Sequence, residues 1–554
     1  MRPAGPASPL GPASPTMRWW GWGDPAHPPA LPVHALDFLR ETVGIAARPR
    51  PPVALEQVSI AATALPAATA AALREIVGAE GFRDDHAERV LHAAGKGYPD
   101  LVRLRSGNPE GAPDAVVRPG DPEQLCAVLE RCVQASVAVV PWGGGTSVVG
   151  GVAPLRGEHA AVIALEMGGM ARVLELDRIS RTVTVQAGIR APALERALAP
   201  SGYTLGHFPQ SFQYVSLGGC AATRSAGQAS SGYGRFEQLV LGLRFAAPAG
   251  EIALAAVPAS AAGPELRRLL VGSEGTLGVI SELTLRVRPA PRERIYEGVF
   301  FADFAAGVEA LRELAQQRAC PDVARLSDEA ETRMSLALAG TGGVKGRLGR
   351  AYIGLRGYSE GCLAILGFEG EAQEVASRRR RALELARRRG CLAVGQSPGE
   401  AWRKGRFAAP YLRDELLTQG VMVETLETAT SWSNLRALHR TVAAAIAEAL
   451  AAQGTPGLVM CHVSHLYETG ASLYFTFIAR QREGAELEQW AAVKRAASSA
   501  ILDNGGTITH HHAVGRDHAP WLADEVGREG VAALRALKGE LDPAGIMNPG
   551  KLLP

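Results

Sequence analysis

Three consecutive histidines near the carboxyl terminus, His510, His511 and His512, form a run of side chains that could carry out proton transfer. Imidazole titrates closest to neutral pH, so such a run could supply a general base. In an extended segment alternate rings face opposite ways, and we expect at most two of the three to reach one substrate. Two other interpretations stay open: a cluster held by core hydrogen bonds, or a metal site, although three adjacent imidazoles chelate one ion poorly.

Glycine-rich segments at three places could hold an anionic cofactor. Gly143–Gly145 follow a strand and leave successive backbone amides free to turn toward one anion, while Thr146 and Ser147 add hydroxyl donors. This segment matches neither a Rossmann turn nor a P-loop, and alone it could be a tight structural turn. Further glycine-rich segments lie at 216–234 and 272–278. Together they favour a dinucleotide, because one loop cannot cover a pyrophosphate, a ribityl chain and two ring systems.

The elements that position these residues follow from hydrophobic spacing. Apolar residues at helical spacing predict helix over 65–101. A short apolar run at 115–119, a helix that opens at Asp121-Pro122 and a strand at 137–140 predict a β-α-β unit. Other predicted elements are strands at 161–165, 173–176, 182–185, 279–287, 297–300 and 351–355, and a helix at 192–198.

Changes in texture along the chain predict four parts. They are an N-terminal arm with a helical segment (1–109), a cofactor-binding domain (110–290), a second domain (291–500) and a C-terminal segment that returns to the site (501–554). Residues 1 to about 50 hold many prolines and are predicted to form a disordered start followed by an extended arm. The tryptophan-rich segment Met17–Asp24 is predicted to be an aromatic anchor packed on the body of the protein.

Composition narrows the class of protein. The chain has 554 residues, 47% of them hydrophobic, and a net charge of +2, so it can bury a large core and has no overall field for nucleic acid. Its seven dispersed cysteines show no metal-finger spacing or disulfide framework. We expect a cytoplasmic protein without a signal peptide or a membrane-spanning helix, and the C-terminal Lys551–Pro554 is not a peroxisomal signal.

One predicted helix is strongly basic. It carries seven arginines, at 378–381 and 387–389. They predict either a solvated helix face or a peripheral contact with anionic lipid headgroups.

The order of the glycine motifs resembles a known superfamily. P-x-G-G-G-T-S, then G-H-x-P before S-x-G-G, then G-S-E-G-T-L-G-V-I resemble the FAD-binding domain of the vanillyl-alcohol oxidase and para-cresol methylhydroxylase (PCMH) superfamily. The resemblance implies an α+β fold: a two-subdomain PCMH-type FAD-binding domain and an α/β cap domain with an antiparallel sheet. Some members attach the flavin through a histidine near the first loop. Thr146 stands there in this chain, which predicts noncovalent FAD.

By this resemblance, residues from all three loops contact the cofactor. They are Pro141, Trp142, Gly143, Gly144, Gly145, Thr146, Ser147, Gln210, Ser211, Ser216, Gly218, Gly219, Thr223, Arg224, Ser225, Ala226, Gly272, Glu274, Gly275, Thr276 and Gly278.

The rest of the chain resembles the alkyldihydroxyacetonephosphate synthase family of ether-lipid synthesis. The similar motifs include Met17–Gly23, Tyr411–Asp414, Leu473–Phe475 and His510–Gly515. The H-x-G-D-G-N-x-H metal motif of hydroxy-acid dehydrogenases is absent at the corresponding strand, which predicts no metal. The family exchanges the acyl chain of acyl-dihydroxyacetone phosphate for a long-chain alcohol, with flavin N5 as the nucleophile. It also implies lipid substrates, a homodimer and no net redox change.

The resemblance assigns roles to individual residues. Tyr474 aligns with a catalytic tyrosine, although its alternating strand would also suit a core residue facing the same side as Thr476. Arg413 aligns with a substrate-binding arginine and Arg325 with another arginine needed for activity; a guanidinium fork suits phosphate, while either could be a surface ion pair. His510, His511 and His512 are assigned to catalysis. Apolar residues such as Leu336, Leu338 and Leu426 could line a tunnel for the alkyl chain.

Two alternative functions remain open. The first is an FAD-linked oxidase or dehydrogenase acting on an alcohol or a 2-hydroxy acid. The second is a flavin-binding protein without activity.

Overall fold

A computed structural model describes residues 17–23, 31, 33–338 and 344–553, without the side chains of 33, 34, 344–348 and 350. Residues 1–16, at the start of the predicted disordered segment, and Asp24 lie outside these residues, and residues 33–42 of the predicted extended arm are helical instead. The first elements are α1 (Val33–Thr42), α2 (Ala67–Gly81), β1 (Phe82–Arg83), α3 (His86–Leu91) and α4 (Tyr98–Arg105).

The helix predicted over 65–101 is divided into three. Gly78 adopts a left-handed backbone (φ 76°) inside α2, and the short strand β1 follows. Asp85 then starts α3, where its carboxylate accepts a hydrogen bond from the Glu88 amide at 3.2 Å. The apolar spacing was correctly interpreted as helical, but the glycine and the new N-cap interrupt it.

The first subdomain is a small, mainly parallel sheet. It adds β2 (Ala115–Val117), α5 (Pro122–Ala135), β3 (Val137–Trp142) and β4 (Ala161–Glu166) in the order β1-β2-β4-β3. Strands β2 and β3 are both parallel to β4, which lies between them. The predicted β-α-β unit is confirmed, and Asp121 caps α5 by accepting from the Gln124 amide at 2.8 Å.

The second subdomain is an antiparallel sheet in the order β5-β6-β10-β8-β9. Its alternating apolar residues, such as Val183, Val185, Leu283 and Leu285, are fully buried in one cluster. The elements are β5 (Val173–Asp177), β6 (Thr182–Gln186), α6 (Ala191–Leu198), β7 (Tyr203–Thr204), α7 (Leu217–Ala222), α8 (Ser230–Tyr233), α9 (Phe236–Leu239), β8 (Val240–Ala247), β9 (Gly250–Leu254), α10 (Leu266–Leu270), β10 (Val279–Arg286) and β11 (Arg288–Pro289).

The cap is built on a larger antiparallel sheet in the order β15-β12-β14-β13-β17-β18-β16. Its elements are β12 (Glu293–Phe301), α11 (Phe304–Gln316), β13 (Val323–Ser327), α12 (Glu329–Leu338), α13 (Val344–Leu355), β14 (Cys362–Gly370), α14 (Ala372–Arg388), β15 (Leu392–Gly395), α15 (Gln396–Gly405), α16 (Ala409–Thr418), β16 (Val421–Ser431), α17 (Trp432–Ala452), β17 (Leu458–Leu466), β18 (Gly470–Arg480) and α18 (Glu486–Asp503).

The two faces of the cap sheet have different surroundings. Helices α11, α14, α17 and α18 bury one face in the largest apolar cluster, which contains Phe475, Phe477 and Leu426. The other face carries Tyr474 and Thr476 toward a cavity, as the alternation along β18 predicts. The suggestion that Leu426 lines a tunnel is therefore wrong, because strand alternation turns it toward the helices.

Residues 351–355 form the end of helix α13 rather than the predicted strand. Tyr352 and Leu355 on this helix are exposed, with Leu355 87% accessible. The short apolar run fits either structure, and periodicity alone does not distinguish them.

The arginines of α14 contact mainly their own protein. Arg378 pairs with Asp322 at 2.7 Å, Arg379 with Glu297 at 2.6 Å, and Arg389, just after the helix, with Glu313 at 2.8 Å. Arg381 donates to the Gln317 carbonyl at 2.9 Å. These contacts favour the interpretation of a solvated, ion-paired face.

The C-terminal segment returns to the first subdomain through α19 (Leu522–Leu541). Met547 forms a parallel bridge with Val139 of β3, and the side-chain amide of Asn548 donates from Nδ2 to the Glu274 carbonyl at 2.7 Å. In the described part of the chain, none of the helices combines the length and apolar composition needed to cross a bilayer.

Candidate active site

A cavity of about 490 Å³ lies where the glycine loops, the open face of the cap sheet and the histidine run meet. This volume is typical of a small-molecule site. Among its lining residues are Pro141, Trp142, Gly143, Gly144, Gly145, Thr146, Ser147, Gln210, Ser211, Ser216, Gly218, Gly219, Thr223, Ser225, Ala226, Glu274, Gly275, Gly278, Arg325, Arg413, Tyr474, His511 and His512. The fold thus gathers residues that span more than 370 positions of sequence.

Four residues of the predicted site lie away from the cavity lining. Arg224 points outward and pairs with Glu237 at 3.6 Å, and its alkyl chain packs over Gly272. Thr276 is buried, where its hydroxyl donates to the Ser273 carbonyl at 2.8 Å. The fourth, His510, faces Tyr467, as described below. Arg224, Gly272, Thr276 and His510 thus support the loops that line the cavity, but they do not line it themselves.

The first two glycine loops pack directly on each other. A Cβ atom at Gly143 would collide with the Ser216 hydroxyl, and one at Gly144 would collide with the Tyr214 carbonyl. Ser216 itself caps α7 by accepting from the Gly219 amide at 3.2 Å. Only glycine allows this approach, which leaves an amide-rich wall of the kind that suits a pyrophosphate.

Glu274 joins the third loop to the C-terminal segment. Its buried carboxylate accepts hydrogen bonds from the amides of Val514 and Gly515, at 2.8 and 2.7 Å. Burial outweighs these bonds and raises the pKa of Glu274 to about 7. The residue predicted to contact the cofactor therefore also fixes the segment that follows the histidines.

The open face of the cap sheet brings Tyr474 beside two other polar groups. Strand register places Tyr474 opposite His462 on β17 and Glu427 on β16. The Tyr474 and His462 rings stack with centroids 4.9 Å apart. Burial raises the pKa of Tyr474 above its ordinary value, so the phenol keeps its proton at neutral pH.

Arg325 belongs to a buried charge network. Its guanidinium donates to the Glu331 carboxylate at 2.7 Å and lies 3.1 Å from Nε2 of His462, whose Nδ1 lies 3.0 Å from Glu331. Burial alone would raise the pKa of Glu331, but Arg325 and His462 together lower it to about 2. The charge of Arg325 is thus largely matched inside the protein.

Arg413 is held by a hydrogen bond to the backbone instead of an ion pair. Its guanidinium donates to the Lys96 carbonyl at 2.7 Å, and among the described residues no carboxylate oxygen lies within 4.0 Å of it. Lys96, whose pKa burial lowers to about 8, in turn donates from Nζ to the carbonyls of Arg18 and Trp19 at 3.0 and 3.2 Å. A buried guanidinium without a matched anion is suited to bind one from solution.

The tryptophan segment, residues 17–23, packs beside Arg413. The Trp22 amide donates to Asp414 at 2.8 Å, Arg18 pairs with the same carboxylate at 3.6 Å, and the Trp22 ring lines the cavity. Trp22 is 4% exposed, which confirms the predicted aromatic anchor.

The histidine run is curled rather than extended. The amides of His510, His511 and His512 all donate to the carboxylate of Glu427, at 2.5, 3.0 and 2.8 Å, and the Thr509 hydroxyl does so at 2.7 Å. His511 and His512 line the cavity next to Tyr474, at ring distances of 6.0 and 5.6 Å. Two of the three rings therefore reach one cavity, but they are the adjacent His511 and His512, whereas an extended segment would turn these two to opposite sides.

His510 links the cavity to a buried tyrosine. Its Nδ1 lies 2.9 Å from Nδ1 of His511, and its Nε2 lies 2.6 Å from the Tyr467 hydroxyl. Burial lowers the pKa values of His510 and His512, that of His512 to about 3, so both rings are neutral at pH 7. This chain of contacts can relay a proton away from the cavity.

The structure groups imidazoles that differ from the run in the metal-site interpretation: one ring nitrogen each of His465, His510 and His511 lies within 4.8 Å of the other two. In the structure, Nε2 of His465 is bonded to the Gly227 carbonyl at 3.0 Å, so that nitrogen carries the proton. Its Nδ1 lies 3.2 Å from the Ser472 hydroxyl. Since both nitrogens have partners, the cluster is arranged as a hydrogen-bonded network.

Several polar groups of the site were missed by the sequence analysis. Glu427, Glu331, His462 and Lys96 were not singled out as site residues. The available signal was a charged or imidazole side chain inside an otherwise apolar strand, as for Glu427 and His462.

Two family models match the chain and define its class. Residues 113–255 match an FAD binding domain, and residues 290–552 match the C-terminal domain of FAD linked oxidases. Together with the three glycine loops and the cap, they make this protein an FAD-binding flavoprotein with the predicted α+β architecture.

The chain belongs to the alkyldihydroxyacetonephosphate synthase family. It is 34% identical to the synthase of Dictyostelium discoideum over 480 residues, covering 85% of this chain and 78% of that relative. The synthase of Trypanosoma brucei brucei is 32% identical over 572 residues, covering 97% and 92%. A solved alkyldihydroxyacetonephosphate synthase structure matches with a TM-score of 0.85 at 28% identity, covering 97% of this chain and 99% of that one.

Proposed function

We propose that this protein exchanges the acyl chain of acyl-dihydroxyacetone phosphate for a long-chain alcohol, the reaction that makes the ether bond of ether lipids. The observation that carries the proposal is the meeting of His511, His512, Tyr474 and Arg413 with the three glycine loops at one cavity. Family membership supports the same reaction, since the curated relatives are named for it.

The side chains divide the chemical tasks. The imidazoles of His511 and His512 at the cavity can accept the proton next to the substrate ketone, and His510 and Tyr467 can take it further. Tyr474, held as a neutral phenol, is suited to donate a hydrogen bond or a proton to the substrate. Arg413 is the better phosphate ligand of the two arginines, because Glu331 already pairs with Arg325.

The glycine cradle supports a bound FAD. Gly143 and Gly144 let the first two loops pack closely with their amides unobstructed by side chains, and Thr146 and Ser147 lie beside them at the cavity. When bound, FAD supplies a nucleophilic nitrogen, N5, for exchange at the carbon that carries the ester. We infer that FAD is held noncovalently, because Thr146 cannot form the histidine linkage. Acid precipitation of the purified holoenzyme should release the flavin into the supernatant; yellow colour that stays with the pellet would contradict this.

A direct test of the function is transfer of labelled hexadecanol into acyl-dihydroxyacetone phosphate, with release of free fatty acid. The reaction should need bound FAD but no added electron acceptor. Anaerobic mixing with lactate, glycolate or the alcohol serves as the opposing test. Rapid bleaching of the flavin band by one of these, without ether formation, would instead identify an oxidoreductase.

We also propose a homodimer and a peripheral membrane contact. The exposed Tyr352 and Leu355 on α13 lie in the helix that follows the cavity-lining α12, which suits a surface where a lipid substrate enters. Light scattering, which measures the mass in solution, tests whether the protein is a homodimer. Flotation with anionic vesicles tests the membrane contact, and Leu355→Glu should weaken the binding to these vesicles.

A further inference from the structure

Glu427 is a buried acidic residue that does not line the cavity, yet it contacts every residue of the histidine run. It is 2% exposed. Three consecutive main-chain amides, 510 to 512, and the Thr509 hydroxyl converge on its two oxygens. A buried carboxylate is stabilised in this way by amide dipoles, and it holds the donating backbone in one curled conformation.

The imidazoles are part of the same arrangement. Nδ1 of His511 lies 3.4 Å from the carboxylate, and the Nδ1 atoms of His510 and His512 lie at 3.9 and 3.8 Å. Burial opposes ionisation of Glu427, but His511 and the neighbouring histidines hold the pKa of this carboxyl well below its ordinary value. The carboxylate is therefore charged at neutral pH and attracts both the backbone and the rings.

Strand pairing fixes Glu427 relative to Tyr474. The two residues are direct partners in the β16–β18 ladder, so their side chains stand on one face of the sheet. An anchor on this ladder sets where His511 and His512 stand relative to the tyrosine ring. Without this anchor, the distances from the two imidazoles to the tyrosine ring would vary as the loop moves.

We propose that Glu427 is a positioning residue, which holds the histidine run against the cap sheet at the distance from Tyr474 that the reaction needs. The catalytic consequence rests on the proposed function. The positioning itself does not, and it can be measured without turnover.

The first test is amide hydrogen exchange of the holoenzyme, followed on peptides that span residues 507–515. In Glu427→Gln and Glu427→Ala, the amides of 510–512 should exchange at least about tenfold faster, with the larger effect in the alanine variant. The matched control is Glu424→Gln. Glu424 is also a buried glutamate of β16, but it accepts from Trp490 Nε1 at 2.7 Å on the helical side of the sheet. Exchange in 507–515 should stay unchanged in this control.

The second test separates kcat from KM. Glu427→Gln should retain bound flavin and nearly normal KM, with kcat reduced about 10- to 100-fold, while Glu424→Gln keeps both values. Glu427→Asp keeps the charge but shortens the side chain by one methylene. Its kcat should therefore lie between those of wild type and Glu427→Gln.

The outcomes are distinguishable. Unchanged exchange in 507–515 of the Glu427 variants would overturn the proposal, and so would an equal response to Glu424→Gln. Failure of both Glu427→Gln and Glu427→Asp to fold would assign Glu427 to the core and also overturn it. If wild-type enzyme does not transfer the alcohol but exchange at 510–512 accelerates as expected, the proposed function fails and the positioning role stands.

Discussion

At the residue scale, the site depends on the imidazoles of His511 and His512 and on Arg413, which pairs with no carboxylate among the residues that the structure describes. His511, His512 and Tyr474 form a contiguous polar wall, and Arg413 lines the same cavity. Glu427 lies behind this wall and holds its backbone, while Glu331 lines the cavity and pairs with Arg325. The chemistry therefore depends as much on buried carboxylates as on the groups that meet substrate.

His511→Ala and His512→Ala should each abolish turnover and leave a yellow holoenzyme. Both rings line the cavity, while the carboxylate anchor and the glycine loops are untouched by the change. Alcohol exchange and the flavin absorbance, measured on the same sample, check this. The exposed His86 provides a control, since His86→Ala should keep full activity. Loss of flavin from either cavity variant would show that the run is structural.

Arg413→Lys should raise KM for acyl-dihydroxyacetone phosphate by about tenfold or more and leave flavin affinity unchanged. Lysine keeps the charge but loses the planar fork that binds two phosphate oxygens and also donates to the Lys96 carbonyl. Steady-state kinetics and flavin titration measure the two effects. Arg403→Lys, at a surface pair with Glu400, is the matched control. An unchanged KM in Arg413→Lys would contradict the phosphate role.

At the element scale, the tryptophan segment and α16 act as one unit. Lys96 connects them, because its ammonium holds two carbonyls of the segment and its own carbonyl accepts from Arg413. Arg18 and Arg105 lie over the Trp20 ring at 4.9 and 5.2 Å, which adds cation–π contacts. The segment thus supports the substrate arginine from behind.

Gly21→Ala should displace this segment and weaken substrate binding. A Cβ atom at Gly21 would lie 2.5 Å from Cγ of Asp414, so either the segment or α16 must shift. We expect KM to rise about tenfold with smaller loss of flavin. Gly539→Ala, in α19 with nothing within 4 Å of the added atom, should be neutral or slightly stabilising. Normal kinetics in Gly21→Ala would show that the segment does not support Arg413.

At the scale of the whole molecule, the histidine run is held from two sides. Glu427 of the cap accepts the amides of 510–512, and Glu274 of the FAD-binding domain accepts those of 514 and 515. A single loop is therefore hydrogen-bonded to both the cap and the FAD-binding domain. Burial on both sides also leaves many imidazoles uncharged.

Buried imidazoles should lower the stability in acid, while the raised pKa of the buried Glu274 carboxyl acts in the opposite direction. Burial lowers the pKa values of His207, His465, His512 and His518 from 6.5 to about 3. Between these values these histidines bind protons in the unfolded chain but not in the folded protein, so their contribution to the free energy of unfolding decreases as pH falls from 6.5. Each histidine contributes up to about 1.4 kcal/mol per pH unit. Urea unfolding of the holoenzyme between pH 7.5 and 5 measures the slope.

Two variants test how much of the pH dependence of the free energy of unfolding comes from one buried histidine. His207→Asn should flatten it by about 1.4 kcal/mol per pH unit, because one buried imidazole no longer binds a proton on unfolding. His86→Asn, at an exposed position, should leave the slope as in wild type. Equal slopes in all three proteins would mean that the buried histidines do not govern acid stability.

The sequence by itself determined the cofactor loops, the superfamily architecture and the candidate reactive residues. Glycines at 143–145, the Asp121 cap and the alternation around Tyr474 act over a few neighbouring residues, so their spacing is visible in the chain. Tertiary structure alone decided which histidines reach the cavity, that Leu426 faces the helices, and that Arg224 and Thr276 support the loops. It also revealed Glu427, Glu331 and Lys96, because their partners lie from a few to more than 300 positions away. A long-range contact leaves no local period in the sequence.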